Sequence, residues 1–294
     1  MASVPHFFME DALPLTSHMD SELQEPFPIT AEEVKEWSAS RVVIGSFLGF
    51  FLIFIVSSSL CKIFKPRDRP KGFSFNVSQI IVSETQAIIA SFTGLKIVVQ
   101  TWSDVVLSRS PLTNSYAMVF VGYLLYDLII MYLTDWRTGK HFLDIFRSQL
   151  SIYCHHLAFL AIVPPVSLYL RNGKGDHFIG CFLIMEFPVI FLHFQHFLSV
   201  FGLSGSKAYV VNGLLTMISY FFCRIAIFPM MFYRLAVRKG VPFWEVFKHM
   251  SKSCVIGSAL CLIMQIYWFT LMCRKACRVQ KSLKKEKHMN DKTL

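Results

Sequence analysis

The amino-acid sequence predicts an all-α membrane protein with about seven transmembrane helices. Its 294 residues are 54% hydrophobic and only 16% charged, with a mean hydropathy of +0.48. Soluble domains carry about a quarter charged residues, so lipid is the expected solvent for most of this chain. The net charge of +10 does not indicate nucleic-acid binding, because the basic residues lie beside apolar segments, where membrane topology accounts for them.

Residues 1–40 are expected to form an acidic polar tail. They hold eight acidic residues and one lysine, Lys35. The tail lacks the basic start and the early apolar run of a cleavable signal peptide. Residues 41–72 follow as a first transmembrane helix, which serves as an uncleaved anchor, and a basic loop.

Seven apolar stretches are each long enough, at about 20 residues, to cross the ~30 Å hydrocarbon core of a bilayer. Transmembrane helices tolerate the prolines inside some of them where neighbouring groups satisfy the freed backbone. We therefore expect six helices over residues 73–275 and a basic cytosolic tail over residues 276–294. The stretches cover residues 42–60, 75–99, 116–134, 149–170, 177–199, 208–233 and 254–272.

Lysines and arginines set the predicted orientation. Five basic residues follow the first helix at 62–71, and eight lie in the C-terminal segment 274–292. The positive-inside rule places both in the cytosol and the acidic tail outside, which requires an odd number of crossings. The segment 234–252 disagrees, because its five basic residues would then face the other side of the membrane.

Ionisable residues inside the apolar stretches are candidates for function, because charge at bilayer depth is costly. Structural ion pairing is the alternative explanation for each of them. Helix geometry places Glu84, Asp127 and His155 at a similar depth, roughly 7–10 Å from the cytosolic end of their helices, with Glu186 deeper. The full set is Glu84, Lys96, Asp127, His155, His156, Glu186, His193, His196 and Arg224.

The adjacent histidines suggest an oriented general base in a polar cavity open to the cytosol. Neighbouring helix residues point about 100° apart, so one imidazole can face the cavity while the other meets a carboxylate on an adjacent helix. His193 and His196, at i and i+3, offer a metal-binding alternative. The chain lacks the several HxxxH or HxxHH boxes of membrane di-iron oxidases, so we expect no metal. It also lacks a GxSxG elbow and a phosphate-binding glycine loop.

Short motifs over residues 75–278 resemble those of the TLC-domain proteins, the group that contains the translocation-associated membrane proteins and the ceramide synthases. Within that group the chain looks most similar to the TLC domain-containing protein 3 subfamily. The order and spacing of the motifs carry the resemblance. They are Tyr126-Asp127, His155-His156, Gly175-Asp176, Phe178, Gly180-Cys181, Glu186, Val211-Asn212-Gly213, Cys223-Arg224, Phe228-Pro229, Gln265, Tyr267-Trp268-Phe269 and Cys273-Arg274.

This resemblance implies a barrel of six helices around a lipid cavity, preceded by one extra helix. It also implies a catalytic histidine pair, because ceramide synthases use a matching pair to acylate a sphingoid base. Two departures weaken the parallel: Glu186 stands where those enzymes carry an aspartate pair, and Phe187-Pro188-Val189-Ile190 stands where the subfamily has Ser-Thr-Pro. The predicted catalytic residues are His155, His156, Asp127 and Glu186, and the predicted substrate-binding residues are Glu84, Asn212 and Arg224.

Two functions of different classes stay open at this point. The first is a ceramide synthase-like N-acyltransferase that joins a fatty acyl-CoA to a sphingoid base, with no bound cofactor and acyl-CoA as co-substrate. The second is a non-enzymatic lipid-binding protein that senses membrane composition or escorts cargo. The expected partners are membrane lipids, acyl-CoA and a sphingoid base, with a homodimer also open. The expected location is the endoplasmic reticulum, with the Golgi and the plasma membrane as alternatives.

Overall fold

The computed structural model describes residues 39–63, 72–137, 144, 150–166 and 170–293, with side chains described as far as residue 278. Two predicted segments, the acidic tail over residues 1–38 and the basic loop over residues 64–71, lie outside the described residues. All regular structure within the described ranges is helical, which confirms the predicted all-α class. The chain divides into two compact units, one ending at Ile184 and the other beginning at Met185.

The first unit contains the helices that carry the predicted histidine pair and Asp127. Helix α1 packs against α2 and α3, α5 packs along α2, and α4 contacts α3. The helices are α1 (Ala39–Ile63), α2 (Phe73–Gln100), α3 (Pro111–Arg137), α4 (Leu150–Pro165) and α5 (Asp176–Ile184).

A close approach in the first unit joins α2 to α5 through two glycines. A Cβ on Gly94 would lie 2.6 Å from the Gly180 carbonyl oxygen, and a Cβ on Gly180 would lie 2.9 Å from Ile97. Small residues at helix contacts let membrane helices approach closely, because lipid gives no hydrophobic drive for their association. These two glycines therefore set the α2–α5 distance.

The second unit begins at the turn after α5. Helices α6 and α7 pack together, the π-helical segment contacts α7, α8 and α9, and the 3₁₀ helix packs on α8. Its elements are α6 (Phe187–Val200), α7 (Lys207–Tyr220), a π-helical segment (Phe221–Ala226), α8 (Ile227–Lys239), a 3₁₀ helix (Phe243–His249) and α9 (Lys252–Thr293).

Six helical segments of the described chain are long and apolar enough to cross a membrane. The fourth predicted stretch, 149–170, contains α4, whose 16 described residues span about 24 Å. Residues 149 and 167–169 lie outside the described chain, so the full length of this predicted helix stays a prediction. Together these helices make a multi-pass membrane protein. The six long segments are Ala39–Ile63, Phe73–Gln100, Pro111–Thr134, Asp176–Val200, Lys207–Lys239 and Lys252–Arg278.

Candidate functional site

A histidine and an aspartate meet between α3 and α4 in the first unit. His156 Nδ1 lies 3.2 Å from Asp127 Oδ2, and the two side chains are only 15% and 6% exposed. The sequence suggested that one histidine of the pair would meet a carboxylate on a neighbouring helix, and the structure assigns that position to His156. The contact is within ion-pair distance, although its geometry is not that of a hydrogen bond and His156 Nδ1 makes none to the described residues.

Asp127 is held on a rigid part of α3. The residue before it, Tyr126, is fully buried, and its ring lies 6.2–6.4 Å from the rings of Phe54, Phe50 and Tyr123. These rings belong to a core cluster shared by α1, α2 and α3. Because Tyr126 packs against several rings, the backbone that carries Asp127 is held against α1 and α2.

The second oxygen of Asp127 is an open acceptor. Oδ1 is buried and has no hydrogen-bond partner among the described residues. A buried carboxylate oxygen without a donor costs free energy, and ionisable groups in membrane helices are candidates for functional sites. The site therefore presents an imidazole together with an anionic acceptor.

The His155 ring lies in different surroundings from the His156 ring. Its ring centroid lies 4.6 Å from that of Phe159 and 5.7 Å from that of His156. The adjacent positions on α4 therefore serve different purposes, one ring meeting a carboxylate and the other packing beside an aromatic residue. The catalytic role predicted for His155 stays a prediction.

Glu84 lies on the face of α2 that pairs with α3. The Thr134 hydroxyl donates to Gln79 Oε1 and the Tyr123 hydroxyl donates to Ser83, each at 3.2 Å, so Asp127 lies opposite the α2 residues between Gln79 and Ser83. Glu84 follows Ser83 directly, just outside that range, and is partly buried. Its common depth with Asp127 and its substrate-binding role both stay predictions.

Glu186 and Arg224 meet at a helix break in the second unit. The N–H of Val189 bonds to the Glu186 carbonyl instead of the Met185 carbonyl, so the Met185 carbonyl is released from the helical ladder. The Arg224 Nε–H donates to that carbonyl at 2.5 Å, and its Nη2 lies 3.6 Å from Glu186 Oε1. Arg224 thus satisfies backbone and carboxylate together at the point where the helix is interrupted.

Gln265 and Tyr220 complete the surroundings of Arg224. Gln265 Oε1 accepts from the Tyr220 hydroxyl at 2.7 Å and from Arg224 at 3.3 Å. The guanidinium also lies over the Tyr220 ring, 5.3 Å from its centroid. Sequence reasoning quoted Gln265 as part of a motif without a role, although a glutamine in an apolar stretch already signals a buried polar contact.

Asn212 binds the neighbouring helix. Its amide donates to the Phe191 carbonyl at 2.8 Å and to Gln195 Oε1 at 2.7 Å. Gln195 was missed by the sequence analysis, although it is another amide in an apolar stretch. Asn212 therefore joins α7 to α6, and its predicted contact with substrate stays a prediction.

A second buried polar cluster lies at the other end of the first unit, where α2 ends and α3 and α5 begin. Arg171 pairs with Asp176, whose Oδ2 accepts from the backbone N–H of Ser110 at 2.7 Å. His177 Nδ1 lies 3.2 Å from the Thr101 hydroxyl. These contacts tie the 101–110 loop to the start of α5, which gives the Gly175-Asp176 motif a structural role.

No group of three His, Cys, Asp or Glu side chains converges on a possible metal position within the described ranges. His193 and His196 both lie on α6, as the predicted metal alternative requires. The described residues supply no third ligand beside them.

Comparison with known protein families shows which family this chain belongs to. The family model of the TLC domain matches residues 76–274, well over half of the chain. The chain belongs to the TLC domain family. The matched region includes the His156–Asp127 contact, the Arg224 cluster and Asn212, so the family-level resemblance seen in the sequence is confirmed.

The curated relatives carry the name TLC domain-containing protein 4. The 4-B protein of Danio rerio is 27% identical over 254 residues, covering 81% of this chain and 89% of the relative. The human protein is 24% identical over 215 residues, covering 71% and 77%. No solved structure matches the chain. The predicted assignment to the protein 3 subfamily is not supported by these relatives and gives way to a similarity with protein 4.

Proposed function

We propose that this TLC domain protein is an intramembrane N-acyltransferase that joins a fatty acyl-CoA to a sphingoid base. The observation that carries the proposal is the 3.2 Å contact between the largely buried side chains of His156 and Asp127, from Nδ1 to Oδ2. A carboxylate at Nδ1 selects the tautomer with the proton on that nitrogen, which leaves Nε2 as the basic position. An oriented base of this kind suits a reaction that begins with loss of a proton.

The proposed reaction is balanced without a bound cofactor. The amine nitrogen of the sphingoid base attacks the thioester carbon, the C–N bond forms and the C–S bond breaks. The bound ammonium first releases one proton to solvent and becomes the free amine. As the amine attacks, His156 Nε2 takes the second proton, and coenzyme A leaves as the thiolate, which the same imidazolium can protonate. Asp127 compensates the positive charge on the ring between these steps. Such base catalysis contributes about 10²–10⁴-fold in rate.

The open Asp127 oxygen favours an amine substrate. Sphingoid bases carry an ammonium group and hydroxyl groups, all of which donate hydrogen bonds, and Oδ1 is a buried anionic acceptor that lacks a donor in the described chain. A cation beside a buried carboxylate also removes the cost of leaving that charge unpaired. As part of the proposal we place this reaction in the endoplasmic reticulum membrane, with Glu84 close enough in level to contact the same substrate.

Product formation by the purified protein tests the proposal. The full-length chain in liposomes receives a sphingoid base and acyl-CoAs of several chain lengths, and ceramide and free coenzyme A thiol are both measured. We expect the two products to appear in a one-to-one ratio, and to be absent with the His155→Ala/His156→Ala double variant. Absence of amide product from the folded wild-type protein with every acyl-CoA would contradict the proposal.

A non-enzymatic lipid-binding function is the second candidate. It is favoured by the bonding of Arg224 and Asn212, two predicted substrate-binding residues whose polar atoms bond to neighbouring helices. In that case the folded protein retains lipids through purification, and the double histidine variant retains the same lipids in the same amount. Mass spectrometry of lipids extracted from both purified proteins separates the two functions.

A further inference from the structure

The segment between α8 and α9 forms an ordered, basic element that the proposed acyl transfer does not use. Helix α8 ends at Gly240, whose φ of +66° closes the turn, and the Val241 N–H bonds back to the Ala236 carbonyl at 3.1 Å. Pro242 then leads into the 3₁₀ helix Phe243–His249. The chain turns sharply here and packs back on α8.

Two contacts fix the level of this 3₁₀ helix. Val246 is fully buried, and the Phe247 ring lies 5.1 Å from that of Phe232 in an edge-on arrangement. Phe232 lies in the apolar, membrane-spanning segment Lys207–Lys239, which ends shortly before the 3₁₀ helix begins at Phe243. The 3₁₀ helix therefore packs against the end of that segment.

Aromatic residues at this level face outward. Trp244 is 74% exposed and Tyr233, one residue before the first arginine, is 58% exposed. Tryptophan and tyrosine concentrate at membrane–water interfaces, where the ring contacts acyl chains and the polar atom contacts headgroups. Both side chains thus have the position and the exposure of interface residues.

The charge at this level is strongly positive. Residues 234–252 contain five basic residues and one acid, Glu245. The acid lies 4.0 Å from Lys248, and both side chains are exposed, so this ion pair neutralises little. Arg238, Lys248 and Lys252 are exposed to the surroundings.

The positive-inside rule does not account for this charge. Helix α9 begins at Lys252 and runs through a membrane-spanning segment to Arg278, so the C-terminal basic residues lie at its opposite end. A topology that places the C-terminal basic residues in the cytosol leaves the basic residues at 234–252 on the other side of the membrane. The basic residues at 234–252 need a separate physical cause.

We propose that this surface binds the phosphate groups of anionic phospholipids in the adjacent leaflet. Arg238, Lys248 and Lys252 supply the positive charge for these phosphate contacts. Trp244 inserts beside them between the headgroups and the acyl chains. The proposal concerns the second unit alone and is independent of the His156–Asp127 chemistry.

Quenching of Trp244 fluorescence by brominated lipids tests this surface. The other four tryptophans are replaced by Phe, and the protein is placed in phosphatidylcholine liposomes containing brominated phosphatidylglycerol or brominated phosphatidylcholine. We expect at least about fivefold stronger association of the anionic lipid, which the Arg238→Gln/Lys248→Gln/Lys252→Gln variant reduces to about one. Because the tryptophan replacements can disturb folding, retention of phosphatidylglycerol by the purified protein with its native tryptophans is measured in parallel.

The matched control removes the same charge from the opposite end of α9. Arg274→Gln/Lys275→Gln/Arg278→Gln must leave the lipid preference at Trp244 unchanged. Equal quenching by both lipids in the folded wild type, as expected for a surface that binds an acidic protein instead, would overturn the proposal. The proposal would also be overturned if the Arg238→Gln/Lys248→Gln/Lys252→Gln variant kept the preference for the anionic lipid. It would be overturned as well if soluble glycerol phosphate abolished that preference in the wild type.

Discussion

Replacing Arg224 with Met removes the side chain that satisfies the interrupted helix of the second unit. The methionine has a similar length but no donor. The Met185 carbonyl, which accepts from the guanidinium at 2.5 Å, loses that bond, and Gln265 loses one of its two donors. Glu186 loses the cation 3.6 Å from its carboxylate.

The expected loss of stability is about 3 kcal/mol. Hydrogen bonds to charged groups contribute about 1.5–3 kcal/mol, and removing one partner of a buried ion pair costs about 3–5 kcal/mol. The Glu186 side chain is 22% exposed, which places the value at the lower end of the second range. For a chain of this size, 3 kcal/mol corresponds to roughly 6–12 °C in melting temperature.

Thermal unfolding in detergent measures this change. Arg224→Lys keeps the charge but loses the planar guanidinium with its several N–H donors. Its melting temperature should therefore lie between those of Arg224→Met and wild type. Arg274→Met removes an exposed arginine from α9 and is the matched control, with a melting temperature within about 2 °C of wild type. A melting temperature for Arg224→Met equal to that of wild type would refute the structural role of the guanidinium.

Three further predictions follow from other contacts. Asn212→Leu should cost about 1–3 kcal/mol in thermal unfolding, because Gln195 and the Phe191 carbonyl lose their donor; an equal melting temperature would contradict this. Gly94→Val should destabilise by at least about 1–3 kcal/mol through its clash with Gly180, whereas Gly257→Ala, with open space around it, should be neutral or slightly stabilising. For topology, protease added outside sealed microsomes should remove the C-terminal tag and leave the N-terminal tag intact. If both tags were cleaved, or both protected, an odd number of crossings would be excluded.

The sequence was sufficient to predict the helical class and most spans, because long apolar runs have few alternatives in a bilayer. Helix interruptions were harder to place. Residues 177–199 were expected as one helix, and the structure breaks it at Met185 and Glu186, although Pro188 carries a local signal for that break. The π-helical segment at Phe221–Ala226 has no such signal, because it depends on the groups that surround Arg224.

The candidate site could be predicted only as a set of depths and residue types. Adjacent helix positions differ by about 100°, which showed that one histidine would meet a neighbouring helix but not which one. That choice depends on how α3 and α4 rotate against each other, a property of side-chain packing around Tyr126. Arg224 and Asn212 looked equally available for substrate in the sequence, since their partners, a freed carbonyl and Gln195, are tertiary contacts.

The rate of acyl transfer per folded molecule of the His156→Ala variant tests the proposed chemistry most directly. Wild type, His156→Ala and Asp127→Asn are purified, their folded fractions are measured, and ceramide formation is divided by those fractions. We predict a loss of about 10²-fold or more for His156→Ala, equivalent to about 3 kcal/mol of transition-state stabilisation. The loss for Asp127→Asn should be smaller, because the carboxylate orients the base and pairs with the substrate ammonium without transferring the proton. A His156→Ala protein with wild-type activity per folded molecule would contradict the assignment of this histidine as the base.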